Sequence, residues 1–197
     1  MSTPGSILGT RVVRTEDPEL VTGRGRYVAD LPLEGKVFAV FVRSDAPHGI
    51  VRAIHTEDAV GMPGVVAVWT AAELGVAPHH GSFEVHDDFA RPPLATDRVR
   101  FAGDMVAVVF AETMAQGEDA AAVVWAEIDP LPVLVDPEVA LAPGADVIFP
   151  VHGDNSALAI TDKNVVDLEG TSARVVRGRY VNQRMACLLY TSDAADE

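Results

Sequence analysis

The chain has one cysteine in 197 residues, Cys187. One thiol cannot close an internal disulfide, which fits a reducing compartment. No C-x-x-C and no G-x-S-x-G is present, so two common routes to thiol and hydrolase chemistry are missing. Basic residues are scarce. Fifteen Lys and Arg stand against 29 Asp and Glu, for a formal net charge of -14. That balance argues against non-specific nucleic-acid binding, which needs clustered cations to displace counterions. It argues equally against docking on an anionic membrane surface. No apolar run reaches the ~18 residues of a membrane-spanning helix. The opening "MSTPGSILGTRVVRTEDPEL" lacks a basic region followed by an apolar core, so no secretory signal is predicted. No internal repeat is found. The expectation is a soluble, cytoplasmic protein.

Hydrophobic residues make up 48% of the chain, enough for a packed core. The length allows one large domain or two small ones. Strands are predicted at "KVFAVFVRS" (36–44), "IVRAIHT" (50–56), "PGVVAVWT" (63–70), "AEIDPLPVLVD" (126–136) and "SARVVRGRYVNQ" (172–183), all rich in β-branched and aromatic residues. Pro47 and Gly49 mark a turn. "RVRFAGDMVAVVFAE" (98–112) predicts two strands around Gly103-Asp104, a hairpin or bulge signal. The two prolines at 130 and 132 point to an edge strand. Short helices are predicted after Thr56 ("EDAVGM") and after Thr70 ("AAEL", with Glu73 completing a capping box). A longer helix, Met114 to Val124, starts from a Thr113–Gln116 capping box. Gly117, Ala120, Ala121 and Val124 share one face of it, small enough for close approach to a sheet. Few connections are long enough for βαβ crossovers. The pattern favours a mixed α+β unit over a doubly wound sheet.

The chemistry-bearing residues give little purchase. Gly23-x-Gly25 in "TGRGRY" lacks the third glycine and the strand-turn-helix setting of a dinucleotide fingerprint, and reads as a tight turn entering a strand. His79, His80, His86, Asp87 and Asp88 lie in one loop. Their spacing matches no fixed ligand set, and one loop does not preorganise a metal site, so a solvated loop is expected. Glu16-Asp17 before Pro18 reads as a solvated turn rather than an acid/base pair. His48 and His55 flank a strand and read as core or surface histidines. No catalytic, cofactor-binding or metal residue is assigned.

Taken in order, four stretches carry a resemblance: "RTEDPELVTGRGRYVADL", "VFAVFVRSDAPHGIVRAIHTEDAVGMPGVVAVWTAAEL", "PPLATDRVRFAGDMVAVVFAET" and "GEDAAAVVWAEIDPLPVLVDPEVAL". Together they resemble the start of the molybdenum-binding large subunit of the xanthine dehydrogenase and aldehyde oxidase family, in the bacterial branch that includes carbon monoxide dehydrogenase. The resemblance runs from about Gly9 to Ala186. It implies an extended segment over 1–19, an α/β hammerhead domain over 20–141 and the beginning of a molybdopterin-binding domain over 142–186. It implies oxidation of an aldehyde, an N-heterocycle or carbon monoxide with water as oxygen source. The molybdenum–molybdopterin cofactor and the catalytic residues would be held beyond Ala186, so the fragment would bind no cofactor and be inactive alone. Iron–sulfur clusters need thiolate ligands. They would sit on a separate subunit, as would FAD, in a dimer of heterotrimers. A second reading treats the chain as a non-catalytic module that offers a surface to partner subunits.

The match ends at Cys187. The last stretch, "CLLYTSDAADE" (187–197), resembles the translation of a sequencing adapter from transposase-based library preparation. The adapter codons TGT CTC TTA TAC ACA TCT would encode Cys-Leu-Leu-Tyr-Thr-Ser, the residues found at 187–192. These residues are expected to be foreign to the protein and stand outside fold reasoning.

Overall fold

The computed structural model describes residues 14–27, 30–81, 85–160, 174, 176 and 178–180. The chain divides into two compact units, Met1–Leu158 and Ala159–Glu197. Nearly all described residues belong to the first.

The first unit is built from two three-stranded antiparallel sheets. The first sheet has the order β1 (Phe38–Arg43), β5 (Met105–Ala111), β3 (Val65–Trp69). The second has the order β4 (Arg98–Val99), β2 (Gly49–His55), β6 (Trp125–Pro130). Among the described residues four α-helices accompany them: α1 (Asp17–Leu20), α2 (Ala71–Leu74), α3 (Met114–Ala121) and α4 (Pro137–Ala140). The mixed α+β class follows from this order, since no parallel crossover is needed.

Burial explains the strand sequences. β1 lies at a sheet edge and alternates between half-buried and exposed positions, with Phe38, Val40 and Val42 inward. β5 is central, and its apolar run is buried at five of seven positions. One core group gathers Ala59, Ala107, Val109, Ala120 and Val124. Another gathers Ala95, Val99 and Val106. Val42 and Ile54 pack against both, so the two sheets share one apolar interior.

α3 lies on the first sheet through its smallest residues. A Cβ at Gly117 would come within 2.7 Å of Val40 Cγ2. Gly117, Ala120 and Val124 are buried, while Ala121 is only half-buried. The predicted face is the packed face, and Ala120 is its deepest side chain.

Several expectations are corrected. "EDAVGM" forms turns, not a helix. Ala59 and Val60 both donate to Thr56 O, and Gly61 at φ 93 then ends the winding. Gly103-Asp104 does not join a hairpin, because β4 and β5 belong to different sheets. Instead Gly103 N–H donates to Ser44 O and Ser44 N–H donates to Asp104 O, tying this turn to the end of β1. Helix α3 stops at Ala121, three residues early. At its start Thr113 Oγ1 accepts from Gln116 N–H, while the Gln116 side chain meets the Thr113 hydroxyl rather than its N–H. Strand 126–136 is β6, an edge strand as its prolines suggest, and residues 131–136 are irregular. Within the segment expected to be extended, Asp17–Leu20 forms one helical turn with Pro18 in its first turn. Gly23 at φ 68 follows it as the predicted tight turn, but residues 24–27 form no strand. The predicted strand 172–183 falls mostly outside the described residues. Arg174, Val176 and residues 178–180 are in no strand and are exposed. Cys187 and the rest of 187–197 also lie outside the described residues.

Candidate functional site

Two backbone hydrogen bonds tie together described residues of the loop between α2 and β4. His79 and Arg91 form an antiparallel bridge, each N–H donating to the other's carbonyl at 3.0 and 3.1 Å. Within this loop Asp87–Phe89 makes a 3-10 turn. His86 precedes it, and its Nδ1 accepts from Asp88 N–H at 3.3 Å.

The turn aims its side chains at a distant segment. Asp88 Oδ2 lies 3.0 Å from His86 Nδ1 and 3.3 Å from His152 Nδ1. One ligand atom from each of His86, Asp88 and His152 falls within 4.8 Å of the others. On the far side of its ring, His152 Nε2 faces Asp154 Oδ1 at 3.5 Å. Phe89 packs against both His152 (centroids 4.4 Å) and Phe149 (4.9 Å), and the Arg100 guanidinium covers Phe149 at 4.7 Å. Burial lowers the Arg100 pKa below its ordinary value, with Asp97 opposing that shift.

The candidate histidines therefore separate. His86 and Asp88 join a cluster. His80 instead pairs with Asp87 at 3.1 Å, and His79 serves through its backbone. His48 is a buried core histidine: its Nδ1–H donates to Pro132 O at 2.7 Å and Nε2 accepts from Arg98 at 3.3 Å. His55 stacks on Trp125 at 4.0 Å. Glu16 and Asp17 form no pair aimed at a cavity; Glu16 lies 3.9 Å from Arg14. His152, the member that completes the cluster, was missed by sequence reasoning. Its signal was the repeated pattern His-x-Asp, at His86–Asp88 and His152–Asp154.

A shallow groove of about 380 Å³ lies beside this cluster, lined by residues 140–145, Val147 and 153–156. Asn155 organises its floor. Its side-chain amide donates to Ala140 O and Asp146 O, and its Oδ1 accepts from Ile148 N–H. The lining holds no Lys or Arg and presents Asp154. A phosphate-bearing pterin would meet a carboxylate there and no cation. The groove does not fit a molybdopterin, and no chemical step is assigned to it. Among the described residues, no helix is long and apolar enough to cross a membrane.

Comparison with known proteins bears on the whole arrangement. Residues 22–132 match the family described as aldehyde oxidase and xanthine dehydrogenase, a/b hammerhead domain. The chain is 40% identical over 144 residues to the nicotine 6-hydroxylase large subunit of Paenarthrobacter nicotinovorans, covering 71% of this chain and 18% of that protein. It is 34% identical over 187 residues to the carbon monoxide dehydrogenase large chain of Afipia carboxidovorans, covering 90% and 23%. The crystal structure of a Cu,Mo-CO dehydrogenase in its carbon monoxide reduced state superposes with a TM-score of 0.61 at 36% identity, over 70% of this chain and 17% of that one. The chain thus spans about a fifth of the length of the curated relatives it matches. Matched over more than half its length and built as the expected mixed α+β unit, the chain belongs to the aldehyde oxidase and xanthine dehydrogenase family through its hammerhead domain.

Proposed function

We propose that this chain is the hammerhead-bearing portion of a molybdenum hydroxylase large subunit. In this reading residues 20–141 are the hammerhead and residues 142–186 begin a molybdopterin-binding domain. Residues 187–197 are adapter-encoded. The complete subunit oxidises an aldehyde, an N-heterocycle or carbon monoxide, taking oxygen from water and releasing two electrons and two protons per turnover. It works in the cytoplasm with an iron–sulfur subunit that accepts the electrons and an FAD subunit that passes them on.

The observation that carries this reading is the pairing of coverages. Up to nine-tenths of this chain aligns, yet it accounts for less than a quarter of the carbon monoxide dehydrogenase large chain. The chemistry of the described residues supports it. The groove beside the histidine cluster presents Asp154 and no lysine or arginine for a phosphate. In this reading the described portion acts as scaffold, and the active site belongs to the remainder of the subunit.

The test is a molybdenum measurement. The 197-residue chain and the complete reading frame of its gene are expressed in a host that makes molybdopterin, and bound metal is quantified by mass spectrometry. The expected result is molybdenum in the complete protein and none in the 197-residue chain. Stoichiometric molybdenum in the shorter chain would overturn the assignment.

A further inference from the structure

We propose that His86, Asp88 and His152 form a binding site for a divalent transition-metal ion, zinc foremost, that fastens the 3-10 turn to the segment following α4. The ligand atoms are spaced for it. A tetrahedral zinc with ligands at about 2.0–2.1 Å holds those ligands about 3.3 Å apart. Asp88 Oδ2 lies 3.0 and 3.3 Å from the two Nδ1 atoms, so both edges already have that length.

The outer contacts orient the same atoms. Asp154 Oδ1 faces His152 Nε2, the ring nitrogen away from the cluster. A proton on Nε2 directed at Asp154 leaves the Nδ1 lone pair directed at Asp88, the carboxylate–histidine arrangement typical of metal ligands. His86 Nδ1 accepts from Asp88 N–H at 3.3 Å, so this nitrogen carries the lone pair and not the proton, and a bound ion would take the place of that long backbone contact. The three ligand atoms lie within 4.8 Å of one another, close enough for one ion to bind them all. The site also has walls. Phe89 packs against the His152 ring and is itself backed by Phe149. Asp88 and His152 are half-buried while His86 is exposed, which leaves an entry path and a position for water. Two imidazoles and one carboxylate suit zinc, nickel or cobalt better than magnesium or calcium, which prefer all-oxygen shells. The role is structural: His86 and Asp88 are 64 or more residues from His152 along the chain, and one ion cross-links them.

The chain, stripped of metal by a chelator, is titrated with zinc against a chromophoric competitor, and with cobalt(II) while the visible spectrum is followed. Saturable uptake of one ion per chain is expected, with the strong visible bands of four-coordinate cobalt. His86→Gln, at an exposed position where folding is not at stake, and His152→Gln should each weaken zinc binding at least about tenfold. His79→Gln, in the same loop but outside the cluster, should leave it unchanged. Zinc affinity unaltered in both His86→Gln and His152→Gln overturns the proposal. So does the lack of saturable uptake at roughly 1 mM zinc, a concentration that detects even weak sites.

Discussion

His48 shows what a single residue does here that its sequence position did not announce. It is 3% exposed and bonded on both ring nitrogens, to Pro132 O and to Arg98. It links the start of β2 to the irregular segment after β6. His48→Ala should cost about 2–4 kcal/mol, since it leaves two buried partners unsatisfied and opens a cavity. Urea denaturation would read this directly, and a change under 1 kcal/mol would mean water replaces the ring at little cost. Its neighbour Gly49 corrects a simpler inference. Gly49 reads from sequence as a turn residue, yet it is not among the positive-φ glycines. Its need is space: an added Cβ would meet Ile128 Cγ2 and would lie 2.7 Å from Asp129 O, a backbone atom of the paired strand β6. Gly49→Ala should therefore destabilise by about 1–3 kcal/mol, the range for overpacking where backbone must shift. Such close approach depends on a partner strand about 80 residues away, which no local pattern in the sequence could reveal.

Elements whose signals are local were legible; those whose ends depend on distant partners were not. α2 is the clear local case. Thr70 and Glu73 close the expected capping box, and Gly75 at φ 60 ends the helix. The Thr70 hydroxyl foremost, with the Thr70 backbone N–H, holds the Glu73 carboxyl below the ordinary 4.5. A carboxylate depressed in the folded state stabilises above its unfolded value and loses that contribution as pH falls through the folded one. Glu73→Gln should then be less stable than the parent at neutral pH, with the gap closing below about pH 4.5. A gap that persists unchanged at pH 3 would contradict the cap's electrostatic part. α3 was legible in its face but not in its length, because its last turn yields to the entry into β6. The face sets a ranking. Ala120 is 0% exposed and Ala121 is half-buried, so Ala120→Glu should cost about 3–5 kcal/mol, the range for an uncompensated buried charge. Ala121→Glu should cost clearly less, and equal denaturation midpoints would refute the ranking. The histidine cluster failed to appear in the sequence for the same reason as Gly49. His86 and Asp88 read as a solvated loop until Phe89 and Phe149 bring His152 beside them.

At the scale of the whole molecule two opposing properties meet: a formal charge of -14 and a set of open sheet edges. Each three-stranded sheet has two outer strands. β4 is only two residues long, and β6 carries Glu127 and Asp129, so both are poor templates for pairing. β1 ends in Arg43. β3 is different. Its sequence VVAVW has no charge and no proline, and among the described residues it pairs only with β5. Val66 is 60% exposed and Trp69 39%. Such an edge invites a strand from a second chain. What restrains it is long-range repulsion between like-charged molecules, and salt removes that restraint: the screening length falls from about 10 Å at 0.1 M to about 3 Å at 1 M. Sedimentation velocity of the 197-residue chain should show average mass rising with ionic strength and with protein concentration. A lysine placed on that edge should oppose pairing locally even when salt has screened the net charge, because it must be desolvated to be covered. Val66 is the position to use. It sits where the β3–β5 register shifts, between paired Val65 and Ala67, so its side chain is not needed in the ladder. Val66→Lys should keep stability within about 0.5 kcal/mol, as for surface changes that touch no specific feature. It should also lower the mass at high salt toward that of the monomer. If the variant associates as strongly as the parent at high salt, the β3 edge is not the contact, and the exposed apolar residues of the segment after β6, Val133, Val135 and Leu141, become the surface to mutate.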